Sequence, residues 1–103
     1  MPVPGLALID TGASVTCIDD AATKLKLPVV DVVRVASASH PSTDQNVYPV
    51  SFQIQGLPVL VDSPRAVGAS LAPQGLVALL GRDVLQHLTL FYNGPIGQIT
   101  MAI

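Results

Sequence analysis

The chain reads as a mostly β protein with two short helices, on the strength of three features of its 103 residues. Apolar residues alternate at Val50, Phe52 and Ile54 and again at Ile99, Met101 and Ile103, which is the period of a half-buried strand. Val29 to Val35 and Leu76 to Leu80 are short apolar runs of strand length rather than helix length. Prolines, glycines and small polar residues cluster between these segments and punctuate the chain. With 50% hydrophobic and 12% charged residues, the chain can build one compact domain, 1–103, and not two.

In chain order, Met1-Pro2-Val3-Pro4-Gly5 carries two prolines without ladder N–H groups and is an extended lead-in to a strand at Leu6 to Ile9. Ile18 to Pro28 opens on acids, closes on Lys24, Lys26 and a proline, and predicts a short helix with Asp19 at its N-cap. Val29 to Val35 predicts a strand buried on much of both faces. Ala36 to Asn46 is small and polar and predicts a long loop at the tip of a hairpin, whose second strand is Val47 to Ile54. Pro49 pushes that strand to an edge or a bulge. Leu57 to Val61 predicts a strand, and Asp62 to Gln74 a loop holding one strand segment near Ala66 and Val67. Gly75 to Leu80 is apolar, Val84, Leu85 and Leu88 fall at helical spacing after Arg82, and Thr89 to Tyr92 and Gln98 to Ile103 are strands about the turn Asn93 to Gly97.

Composition excludes several classes of function. A net charge of -2, a pI near 5.3 and no cluster of Lys or Arg argue against nucleic acid or an anionic membrane surface as partner. A mean hydropathy of +0.55 predicts either a very buried sheet or a surface hidden against a second subunit. The single cysteine, Cys17, forms no internal disulfide, which makes a reducing cytosol the default compartment. In its apolar stretch, with no His near it in sequence, Cys17 reads as a buried small hydrophobe rather than a nucleophile. No apolar run reaches the ~20 residues of a membrane-spanning helix, and Met1 to Leu8 lacks the regions of a signal peptide, so any anchor would lie outside this chain.

Chemistry concentrates at Leu8-Ile9-Asp10-Thr11-Gly12-Ala13-Ser14, where an apolar strand runs into a carboxylate followed by hydroxyls and small residues. Burying a lone carboxylate is costly, so Asp10 needs a reason to be there. Met alone, Asp-Thr-Gly is an ordinary turn. A second segment, Leu79-Leu80-Gly81-Arg82-Asp83, follows at a distance, with two apolar residues before a glycine and the start of a helix.

Together the two segments resemble the signatures of the retropepsin-like aspartic proteases, and the order of elements resembles theirs along nearly the whole chain. The resemblance implies a mostly antiparallel, closed all-β barrel with one or two short helices. It also implies a homodimer, because the chain carries one Asp-Thr-Gly copy and the enzyme needs two carboxylates. Like charges about 3 Å apart cannot both ionise, so one Asp10 deprotonates water while the other holds the proton for the substrate amide. The dyad titrates as a pair. Thr11 would then lock the two loops across the two-fold axis, Gly12 would allow the turn and close substrate approach, Ala13 would leave room, and Ser14 would donate from behind. Leu80 and Gly81 would thread beside the loop, with Arg82 and Asp83 opening the helix. The hairpin tip, Ser37, Ala38, Ser39 and His40, becomes a flap over a peptide or protein substrate bound in strand form. No cofactor is required, and no metal set is apparent.

The chain departs from the pattern in two places. Retroviral members commonly carry an acid in the slot of Ser14 that pairs with the arginine matching Arg82, so Arg82 must take Asp83, Asp19 or a backbone carbonyl instead. Nine residues precede Asp10, where the family has an extra strand or hairpin, so either the chain is a truncated or processed form or its dimer edge is built differently. The strand Gln98 to Ile103 is the expected interface. His40 is expected to be a solvated loop residue, His87 structural, and Tyr48 a half-buried strand tyrosine. The rival reading keeps the fold but uses it as an inactive dimerisation or peptide-binding module.

Overall fold

The computed structural model describes residues 4–20, 27–37, 40–58 and 60–103. Among the described residues eight strands are formed: β1 Leu6–Ile9, β2 Cys17–Asp19, β3 Asp31–Ser37, β4 His40–Gln53, β5 Leu60–Ala69, β6 Leu76–Leu80, β7 Thr89–Asn93 and β8 Gln98–Ala102. The first six make one mixed sheet in the order β1-β6-β2-β5-β4-β3, and β7 and β8 make a separate antiparallel pair. Among the described residues, one short α-helix, α1 Arg82–Leu85, follows β6 directly.

The order of the sheet places the chemistry. β1 runs parallel to β6 with Ile9 opposite Leu80, so both strands end at the same rim and release Asp10 and Gly81 side by side. β2 runs antiparallel to β6 with Cys17 opposite Leu79, so it begins at that rim too. Three chain segments therefore meet there. The core behind them is built by Ile18, Tyr48, Val61, Ala66, Ala78 and Leu80 from the sheet and by Val84 and Leu85 from α1, all buried. Burial of these groups is the main driving force for the arrangement.

Several expectations are corrected. The sheet is open, ending at β1 on one side and β3 on the other, and does not close into a barrel. β3 is an edge strand, and Val29, Val30, Val32 and Val35 around it are exposed rather than buried on both faces. Most of the polar stretch 36–46 is paired strand, with Val33 opposite Gln45 and Arg34 opposite Asp44, because a solvated ladder needs no apolar pattern. β5 replaces most of the predicted 62–74 loop: Pro64 interrupts the pattern but sits in a register shift opposite Pro49, between the pairs Tyr48–Ala66 and Val50–Ser63. That shift is the bulge expected at Pro49. Val50, Phe52 and Ile54 lie against the core as their alternation predicts. The helix predicted over 18–28 falls mostly on residues 21–26, outside the described residues. Asp19 closes β2, and its Oδ1 accepts the N–H groups of Leu71 at 2.8 Å and Ala72 at 2.7 Å as the chain enters the 3-10 turn Ala72–Gln74.

Candidate active site

Asp10 follows β1 and is partly buried. Its backbone is fixed first, since its N–H donates to Leu80 O at 3.0 Å and its carbonyl accepts Ala13 N–H at 3.2 Å. Its carboxylate Oδ1 accepts the N–H of Gly12 at 2.9 Å, which holds the side chain over its own loop. Gly12 does not stand at positive φ, a conformation found here at Gly56, Gly75 and Gly97. A Cβ on Gly12 would instead meet Asp10 Oδ1 at 3.2 Å, so glycine at this place leaves room for the carboxylate.

The second segment braces the first. Arg82 N–H donates to Ala13 O at 2.8 Å, and Arg82 Nη1 donates to Thr11 O at 2.9 Å. Of the partners open to Arg82 in sequence, it takes the backbone carbonyl. Gly81 is buried, and a Cβ there would stand 2.6 Å from the carbonyl carbon of Val15 and 2.7 Å from its oxygen, so only hydrogen fits between the two segments. Thr16 completes the brace. It is 0% exposed, its hydroxyl accepts Gly81 N–H at 3.0 Å, and it donates to Asp83 Oδ1 at 2.6 Å. Asp83 also accepts Val84 N–H at 2.9 Å and, through Oδ2, the hydroxyl of Ser63 at 3.4 Å. No described buried side-chain polar atom is left unpaired.

Asp10, Thr11, Gly12, Ala13, Leu80, Gly81, Arg82 and Asp83 are thus brought together. Ser14, expected to donate from behind the loop, is exposed, and the hydroxyl in that place belongs to Thr16. Thr16 and Ser63 were not singled out from sequence. The signal at Thr16 is a single hydroxyl inside the run Val15 to Ile18, which survives burial only with a partner, whereas Ser63, between Asp62 and Pro64, gives none. Ser37 and His40 pair by backbone at the hairpin end, far along the sheet from β1, whereas Ala38 and Ser39 lie outside the described residues. Tyr48 is buried more deeply than expected and its hydroxyl accepts Asn46 Nδ2 at 3.3 Å. His87 is exposed.

Burial, followed by the Asp83 and Asp10 carboxylates, pushes the Cys17 thiol above its ordinary pKa, which suppresses the thiolate a nucleophile needs. Among the described residues no three His, Cys, Asp or Glu side chains gather closely enough to hold a metal ion, and no helix is long and apolar enough to cross a membrane. Two open grooves, of about 320 and 520 Å³, flank Asp62, and neither is lined by the Asp10 loop. Asp10 stands instead on a rim where Thr11, Gly12, Ser14 and Val15 are exposed. In comparisons with protein-family models, curated proteins and solved structures, no significant match to this chain was found.

Proposed function

We propose that the chain is a retropepsin-like aspartic endopeptidase that works as a homodimer, with Asp10 from each copy forming the dyad. The observation that carries this reading is the braced loop: a partly exposed carboxylate whose backbone N–H is tied to Leu80, whose side chain accepts Gly12 N–H, and whose following residues Thr11 and Ala13 are tied to Arg82. Such bracing preorganises a group for chemistry, and a turn of no consequence has no need of it. One carboxylate cannot both take a proton from water and deliver one to the amide, so a second must come from another copy.

Two features support pairing. Leu6 and Leu8 on the free edge strand β1 are 72% and 47% exposed. On the β7–β8 pair, Tyr92, Phe91, Ile99 and Ile103 are also exposed, and a lone two-stranded sheet is marginal in water. β8 is the interface strand of choice, because its outer edge is unpaired among the described residues. A peptide substrate would lie extended across the two Asp10 loops, its alternate side chains read by both subunits.

The test is peptide cleavage by the native chain and by Asp10→Asn, read by mass spectrometry on a mixed peptide library. Cleavage that falls about 10²–10⁴-fold or more in the variant, with an unchanged circular dichroism spectrum, supports the reading. Equal cleavage by both chains removes Asp10 from the chemistry. Sedimentation over a concentration series separates the inactive-module rival, since a chain that stays monomeric when concentrated cannot assemble the dyad.

A further inference from the structure

We infer that Thr16, held by Asp83, is the positioning residue of the Asp10 loop and sets the separation at which two copies of Asp10 meet. This rests on the endopeptidase reading above and goes beyond it, because Thr16 touches neither substrate nor the reacting carboxylates.

Thr16 is wholly buried, yet its hydroxyl and its backbone carbonyl together join three places. The lone pair accepts Gly81 N–H at 3.0 Å and the proton goes to Asp83 Oδ1 at 2.6 Å, while its backbone carbonyl accepts Val67 N–H at 3.0 Å. The end of β6, the first turn of α1 and the last third of β5 are thereby tied to the exit of the Asp10 loop. Asp83 is suited to its part, since Thr16, Val84 and Ser63 all direct donors at its two oxygens. The loop entrance is fixed independently by Asp10 N–H on Leu80 O. Without the Thr16 hydroxyl, the exit would be held by the three-residue ladder of β2, the Val67 N–H bond to the Thr16 carbonyl and the Arg82 contacts.

The separation matters because the repulsion that splits the two apparent pKa values of a carboxylate pair falls as the pair moves apart. A loosened loop would therefore change the pH profile of kcat/KM as well as its height. A residue that serves only stability lowers the folded fraction and leaves the profile's shape alone.

The experiment compares the native chain with Thr16→Val, which keeps the shape and removes the hydroxyl, and Thr16→Ser, which keeps the hydroxyl. In Thr16→Val, kcat is expected to fall about 10–100-fold with KM nearly unchanged, and the alkaline limb of the kcat/KM profile to move to lower pH. Thr16→Ser restores both. A Thr16→Val profile of native shape, with activity lost only in proportion to folded dimer, overturns the inference. If Thr16→Val does not fold, Thr16→Cys, a weaker donor and acceptor, takes its place with the same expected direction. Amide hydrogen exchange supplies a readout that needs no activity: Gly12, Gly81 and Arg82 should exchange at least about tenfold faster in the variant, while Val61 and Ala66 do not change. Unchanged protection at those three amides also overturns the inference. A native chain that cleaves no peptide, together with faster exchange in the variant, overturns the endopeptidase reading and supports the clamp on the loop.

Discussion

Gly81→Ala probes the close backbone approach between the Asp10 loop and the Gly81 segment. The φ of Gly81 is −93° and its ψ −176°, values open to any residue, so glycine is required by space alone. An added Cβ would lie 2.6 Å from Val15 C, 2.7 Å from Val15 O and 3.0 Å from Ala13 O, where ordinary contact begins at 3.4 Å. All three are backbone atoms and cannot swing aside, so the two segments must separate by roughly 1 Å on van der Waals grounds. That movement strains the 2.8 Å bond from Arg82 N–H to Ala13 O and the 3.0 Å bond from Gly81 N–H to Thr16. Two weakened buried hydrogen bonds at about 1 kcal/mol each, plus about 1–3 kcal/mol for overpacking, give roughly 3–5 kcal/mol. In a domain of this size that lowers Tm by about 12 °C or more. Thermal and urea unfolding followed by circular dichroism measure it, with Gly97→Ala as comparison, since that position has open space but a φ of +64° and should cost only about 1 kcal/mol. A Gly81→Ala midpoint within about 2 °C of native would refute the close approach of the two segments.

Three further predictions are read in simpler assays. Asp10→Asn keeps an oxygen to accept Gly12 N–H, so its unfolding midpoint should stay within about 0.5 kcal/mol of native while cleavage is lost. Cys17, its thiol raised in pKa, should react slowly with iodoacetamide at neutral pH in the native chain and quickly in urea, as mass spectrometry will show. The hydrogen bond from Arg65, then that from Val32 N–H, holds the Asp31 carboxyl below its usual range. A lowered folded pKa means a contribution present above the unfolded value of about 3.9 and lost as pH falls through the folded value. Urea midpoints of native and Asp31→Asn should therefore differ near pH 6 and converge near pH 2, and high salt should shrink the difference because the pair is exposed.

The β1, β6, α1, β7 and β8 segments were legible because each pairs an apolar period with a clear stop: Asp10 after Ile9, Gly81 after Leu80, Asn93 and Gly94 after Tyr92. The Asp10 and Gly81 segments could be singled out, but their contact depends on the parallel pairing of β1 with β6, which no local pattern encodes. The β3–β4 hairpin was read too short because Ser42 to Gln45 are polar and solvated, and their strand conformation comes from ladder bonds to Val33, Arg34 and Val35. β5 was read as loop because Pro64 breaks the pattern, although a bulge opposite Pro49 accommodates it. Thr16 was passed over because its importance lies in partners 65 and 67 residues away, Gly81 and Asp83.

The central claim, that two copies of Asp10 make one active site, is tested most directly by mixing. Native chain and Asp10→Asn are unfolded together at equal amounts and refolded, so that subunits pair at random, and cleavage is compared with native chain treated alone at the same total concentration. A shared dyad leaves only native–native pairs active, so the mixture should retain about a quarter of the activity. Retention of about half would mean that each chain acts alone and would contradict the dyad.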